Sequence, residues 1–517
     1  MIARVARFWP LLLLALYLLT PNRQYQFDAL DYATAAKTGT HLFHPHHVLY
    51  NAFGWLICRL VPGEPLRILA TVNAIFTVAA AVLLARVVGR ATGSTGLGRA
   101  AAVGYALTHG AWYMATAVEV YPISIFGEMV ALTAVLETPA RRAGRPPAAA
   151  DEPVRGASLC WILVAGLGSA VGMLFHQTAL FSVPAIAWIV WQRQGLSRAL
   201  VYLAVAGLAT GGVYVAIAAH EGAHSLTDLL RWLTAYAHTA QFSTGTWGGG
   251  LNPMKMAGAA LGIVGTFVFP SFVWNIQPFS GFRPGAAEIT PLALSAAAVV
   301  LFVTLMLRAR KGGPAPTEDK PLRRALALWW VSHAVFTVWW ESVNFEFWLM
   351  ALAPFVFWLA LRLKPVVREN KRRAWLALAL FGAGNLAITF IPDTLRSHNG
   401  WLSIVELVDA HGRDGDIVYS NEPAVDGYLR YFGKHKIQLR SLRETGGDPA
   451  AIDRLAAEAD AARPRGAAFL LETETLDAYA GVPQDRVRAF WTPRMAGATV
   501  VGDYFAWGRR WHLYQLH

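Results

Sequence analysis

The sequence predicts an α-helical polytopic membrane protein of about eleven spans, followed by a small C-terminal extracytoplasmic α/β domain. Three observations predict it. Hydrophobic residues make up 55% of the 517 residues and charged residues 15%, against about 25% charge in a soluble chain. Apolar runs of span length recur up to residue 391, with Lys and Arg gathered between them. Residues 392–517 then hold 17 acidic and 15 basic residues, so the net +12 of the chain arises entirely before them. These proportions exclude an ordinary cytosolic enzyme, a disordered chain and a collagen-like fibre. The pI near 9.8 does not imply a nucleic-acid partner, because the basic residues separate apolar runs instead of sharing a face.

The runs lie at 7–21, 66–88, 100–117, 119–137, 157–174, 176–192, 198–219, 291–309, 325–342, 346–363 and 374–391. Arg4 and Arg7 place the N-terminus in the cytoplasm. Basic groups at Arg86–Arg99, Arg141–Arg155, Arg193/Arg198, Arg308–Arg324 and Arg362–Arg373 follow, and eleven spans put all of them inside. The expectation is a multi-pass protein of the plasma or inner membrane, with domains 1–391 and 392–517 and outer loops 22–65 and 220–290. His47–Val61 is short and carries Arg59, and Met254–Trp274 would invert Arg308–Arg324 if it crossed. Both are read as helices at the outer interface, with a crossing left open for the second. The first run resembles a signal peptide, but no A-x-A site follows it, so it is expected to stay as a span. Cys58 and Cys160 fall on opposite sides of this topology, so no disulfide is expected.

In the tail, 415–421, 436–442 and 467–471 read as strands, and 498–516 as two strands with a turn near Gly508. Residues 424–432 and 448–462 read as helices, and 138–156 as a flexible cytoplasmic loop.

Candidate chemistry gathers at the outer ends of the spans. Asp28 and Asp31 are three apart, on one face of an amphipathic helix. A carboxylate pair there can act as general base or hold a divalent metal, or it can simply open a helix. His41, His44, His46 and His47 lie within seven residues. Imidazoles so close suit a metal, a phosphate or a solvated loop. Glu119, in Ala117-Val-Glu-Val-Tyr121, stands between two spans, where an ionisable residue is a functional candidate and a polar turn is the plainer reading. Glu341, Asn344 and Glu346 occupy another outer turn beside Trp339, Trp340 and Trp348, which read as interface anchors. Gly166-x-Gly168-x-x-x-Gly172 lies inside a span and reads as a close helix contact instead of a nucleotide fingerprint. GxxxxGK[ST], HExxH and GxSxG are absent.

The order of these pieces resembles the GT-C membrane glycosyltransferases, most closely the protein O-mannosyltransferase-like families with HPPGYP and AEVY motifs. The matching residues read His44-Pro45-His46-His47-Val48-Leu49-Tyr50, Ala117-Val118-Glu119-Val120-Tyr121 and Phe175-His176-Gln177-Thr178. The motifs lie within residues 1–220; His46 departs from the second Pro, and Gly-Tyr-Pro is missing. The resemblance implies a polyprenyl-phosphate-linked sugar as donor and a protein, lipid or glycan as acceptor outside the cytoplasm. It implies Asp28 as the base and Asp31 as its acidic companion. Lys37, His44, His46, His47 and Arg59 are the candidates to stabilise the leaving phosphate, and Glu119, Tyr121, His176, Glu341, Asn344 and Glu346 the candidates to line the substrate. No cofactor is certain, and a divalent metal is possible. A transporter or lipid flippase is the alternative and would place polar groups at the bilayer midplane. A non-catalytic protein whose tail recruits a partner is a third.

Overall fold

The computed structural model describes residues 8–137, 152–234, 252–269, 286–311, 320–396, 399–420, 423–472, 484–506 and 509–517. Of the loop read at 138–156, residues 138–151 lie outside them, as do the end of the stretch 254–274 and the turn at Gly508, while 152–156 open the helix Glu152–Phe175 instead of a loop. The described residues divide into two compact units. The first takes in the residues up to Asn22 and from Tyr32 to Ile391; the second comprises Arg23–Asp31 and Pro392–His517. Residues Arg23–Asp31, near the start of the outer loop expected at 22–65, group with the tail.

In the first unit, Pro65–Thr92, Leu196–His220 and Lys371–Thr394 are long and apolar enough to cross a membrane. His109–Thr116 and Tyr121–Glu137 pass together, bent by 117°, and Trp9–Leu19, Leu159–Phe175 and Ala293–Leu305 are shorter apolar helices. Among the described residues, length and composition alone therefore mark up to four spans, fewer than the eleven expected from the apolar runs. The longest helix shows its sequence logic at both ends. Glu64 accepts from Arg67 N–H, Pro65 occupies the first position, and Gly93 ends the helix at φ 64°.

Four expected spans are interrupted. The run 100–117 breaks into Thr95–Ala106 and His109–Thr116, because Thr108 starts a new helix by accepting from Ala111 N–H. The freed Leu107 carbonyl accepts from the Asn385 amide at 2.8 Å. The run 176–192 opens with a 3₁₀ turn, Gln177–Ser182, before Val183–Gln194. Phe345–Leu349 precedes Leu352–Glu369, and Leu386–Phe390 is π-helical. Pro253–Phe267 has 15 residues, or about 22 Å, too short to cross a core of about 30 Å alone.

Glycines allow one close contact between two of the helices. A Cβ on Gly127 would lie 2.6 Å from Gly172 N and 2.7 Å from Gly168 O, so Tyr121–Glu137 and Glu152–Phe175 touch backbone to backbone. Ser124 Oγ donates to Gly172 O at 2.8 Å across the same contact. Neither backbone can yield, so Gly127→Leu is expected to lower stability by at least about 1–3 kcal/mol, read as an earlier melting transition in detergent.

In the second unit, five strands run in the order β2-β1-β3-β5-β4. They are β1 Ile417–Tyr419, β2 Gln438–Arg440, β3 Ala468–Glu472, β4 Thr499–Ala506 and β5 Arg509–Gln515. β1 is parallel to β2 and β3; β5 is antiparallel to β3 and β4. Asp448 caps Pro449–Ala462 by accepting from Ala450 and Ala451 N–H, each at 3.2 Å. That helix, with Gln484–Met495, covers β1 and β3 around Tyr419, Leu470, Phe490 and Trp491.

Candidate functional site

Asp28 lies in the first turn of Phe27–Thr38, where the helix dipole favours a carboxylate, and Lys37 lies in the last turn. Solvent reaches the Asp28 side chain. The protein around it still removes much of its hydration, and together with the Asp31 charge this holds the carboxyl up at about 6. A base at that value is ionised at neutral pH yet strong enough to take a proton in a transition state. Lys37 is exposed, nine residues and about 13 Å along the helix from Asp28.

The second group is built by the His44–His47 loop. Gln177 N–H donates to His46 O at 2.9 Å and Leu49 N–H to Leu174 O at 3.1 Å, tying the loop to the Phe175–Thr178 corner. The Tyr214 hydroxyl donates to Pro45 O at 2.8 Å. The His44 and His47 rings stack at 4.5 Å, His46 stands edge-on to His44 at 5.2 Å, and Tyr32 meets His47 at 4.9 Å. His46 N–H donates to His44 Nδ1 at 3.3 Å, which leaves the proton of neutral His44 on Nε2. His176 caps the 3₁₀ turn, with Nδ1 2.6 Å from the Thr178 hydroxyl and its ring 4.6 Å from Tyr121. His41 stands apart, exposed and at φ 50°, with its carbonyl held by Asn51.

Burial lowers the loop histidines. His44 falls below the usual 6.5, His46 falls to about 4 with His44 adding to the effect, and His47 falls well below the usual value. They are therefore neutral at pH 7 and offer N–H donors instead of fixed positive charge. The linkage has a definite sign. Between about pH 6.5 and about 4 the unfolded chain binds more protons at His46, so this contribution to stability is present above that window and lost as pH falls through it. His46→Gln is expected to narrow the gap between the melting temperatures at pH 7 and pH 5.

Glu119 is 2% exposed and sits in the break between His109–Thr116 and Tyr121–Glu137. Asn73, itself fully buried, donates through Nδ2 to Ala117 O at 2.9 Å and to Glu119 O at 2.8 Å. It therefore satisfies carbonyls that the broken helix frees in the buried interior. Glu119 also lies near the Tyr50 hydroxyl, which burial and this carboxylate push up.

The remaining candidates are placed differently. Arg59 is exposed at the last turn of Tyr50–Leu60, over the Trp55 ring at 5.3 Å. Asn344 caps Phe345–Leu349 through Glu346 N–H and donates to Glu341 at 3.2 Å. Glu346 is buried. This turn packs on Pro253–Phe267: a Cβ on Gly262 would lie 2.5 Å from Ser342 O, and Lys255 Nζ donates to Trp339 O at 2.6 Å.

Asn73, Tyr214 and Asn385 are not among the residues singled out from the sequence. For Asn73 and Asn385 the signal was present, as lone amides inside apolar runs. Among the described residues, no three His, Cys, Asp or Glu are placed to hold a metal ion. The His44 and His47 rings stack nearly parallel, at 17°.

Residues 44–198 match the family model of the protein O-mannosyl-transferase TMEM260 N-terminal domain. The fold is similar to ArnT from Cupriavidus metallidurans bound to undecaprenyl phosphate, with a TM-score of 0.53 and 11% identity over 99% of this chain and 98% of that one. It is also similar to the apo oligosaccharyltransferase of Archaeoglobus fulgidus, with a TM-score of 0.50 and 14% identity over 91% of this chain and 70% of that one. No curated protein sequence matches the chain.

Proposed function

We propose that this chain is a membrane glycosyltransferase of the GT-C superfamily that moves a sugar from a polyprenyl-phosphate donor to an extracytoplasmic acceptor, with Asp28 as general base. The observation that carries the reading is the Asp28 carboxyl, raised to about 6 on the helix that follows the first apolar helix. In this reading Asp28 takes the proton of the acceptor hydroxyl. The acceptor oxygen attacks the anomeric carbon, the bond from that carbon to the phosphate oxygen breaks, and polyprenyl phosphate leaves with the electron pair. Asp31 keeps Asp28 basic. His44, His46, His47 and His176, held in the segment that the family model covers, supply neutral N–H donors to the leaving phosphate. Glu119 and Tyr121 line the sugar, and Lys37, Arg59, Glu341, Asn344 and Glu346 are outer contacts. The acceptor is a protein, a lipid or a glycan. The N-terminus is cytoplasmic, the eleven-span topology is retained, and the tail is extracytoplasmic.

One observation touches the transporter alternative. The 117° bend between Thr116 and Tyr121 is the kind of broken helix that transporters use to coordinate ions. Here two carbonyls of the break are already taken by Asn73, which favours a rigid hinge over an ion site.

The test is donor consumption. Purified protein in nanodiscs is given labelled polyprenyl-phosphate sugars, with and without candidate acceptors. Consumption of one donor supports the reading. Movement of intact donor across the bilayer without loss of sugar overturns it in favour of a flippase.

A further inference from the structure

The segment leading into the Asp28 helix is held by the second unit. Arg23 N–H donates to Asp393 O at 2.9 Å. The Asn399 amide donates to Arg23 O at 2.6 Å and to the Tyr428 hydroxyl at 3.0 Å, and that hydroxyl donates to Tyr25 O at 2.6 Å. Asn399 and Tyr428 are each 1% exposed. Asn399 Oδ1 meanwhile accepts from Leu402 N–H and caps Gly400–His411, so both ends of its amide are used. The Tyr25 ring packs on Tyr428 at 6.5 Å and on Phe432 at 5.5 Å. Helix Pro423–Phe432 comes close through Gly427, whose Cβ position is 3.5 Å from Phe27 and 3.7 Å from Leu30. Apolar packing alone would let these three residues slide. Buried donors aimed at the carbonyls of Arg23 and Tyr25 fix the register of the backbone that opens the helix at Phe27.

We propose that Tyr428 and Asn399 are positioning residues for Asp28, through which the C-terminal α/β unit sets the placement of the catalytic base. The inference rests on the base role given to Asp28 above, and it gives the tail a part in the reaction. The charge that acts on Asp28 is that of Asp31 on its own helix; the helix packed against it carries Asp426 and Arg430, which pair with each other at 2.6 Å.

The test uses the full chain in nanodiscs. Tyr428→Phe keeps the ring and removes the hydroxyl. Asn399→Asp keeps the helix cap and removes both donated bonds, so one variant guards against misfolding of the other. Misplacing a catalytic group by about 1 Å costs up to about 100-fold, and a loosened segment is expected to lower kcat by about 10-fold with KM for the donor unchanged. The acid limb of the pH profile should move to lower pH as Asp28 regains water. Amide hydrogen exchange should rise across residues 26–31 while β1, β3 and β5 stay protected. Unchanged kcat despite faster exchange at 26–31 would overturn the proposal. So would a fall in activity that follows global melting with the acid limb in place. Failure of the base assignment shows separately, as full activity of Asp28→Asn.

Discussion

Asp28→Asn is expected to lower sugar transfer by about 10²–10⁴-fold, the usual contribution of a positioned general base, while binding of the lipid donor survives. The amide keeps the shape of the carboxylate and loses its basicity. Asp31→Asn has a smaller, diagnostic effect. Burial is the larger cause of the raised Asp28 value and the Asp31 charge the second, so removing that charge moves the acid limb below pH 6 and leaves much of the rate. Asp28 precedes the residues 44–198 matched by the family model, so its role rests on its position and electrostatics in this chain. Steady-state transfer rates, with donor binding measured in parallel, check both variants.

Asn73→Leu is the substitution with the largest expected structural cost. It leaves the Ala117 and Glu119 carbonyls buried without their donor, at about 1–3 kcal/mol each. The added apolar atoms also enter a fully buried position. The expected result is a melting temperature several degrees lower in detergent, together with loss of transfer, because Glu119 sits in the same break. Asn73→Gln, which carries the same amide on a longer stem, should recover part of the stability.

How much of this was legible in sequence depends on which interaction decides each element. In the tail, alternation and turn residues gave strands at 415–421, 436–442 and 467–471, which appear as β1, β2 and β3. Asp448-Pro449 announced its helix, since Asp caps and Pro opens. Helices Gly400–His411 and Gln484–Met495 went unread, because one follows an apolar run without a composition shift and the other holds Pro493 and mixed charge. In the membrane segments, hydropathy located the apolar runs but not their interruptions. A break at Leu107 or Glu119 is stable only because Asn385 or Asn73 reaches it from a distant helix, and such a pairing leaves no local pattern. At the site, the Asp28/Asp31 spacing and the histidine group were visible as residue types. That the histidines are neutral and stacked follows from burial against residues 174–178 and 214, far along the chain.

Release of polyprenyl phosphate from labelled donors in nanodiscs, measured for wild type and Asp28→Asn from pH 4.5 to 8, probes the base role of Asp28. Wild-type release should rise with pH through about 6 and then level, with no release above background from the variant at any pH. Equal release by the two proteins, or a wild-type rate that is flat through pH 6, would contradict that role.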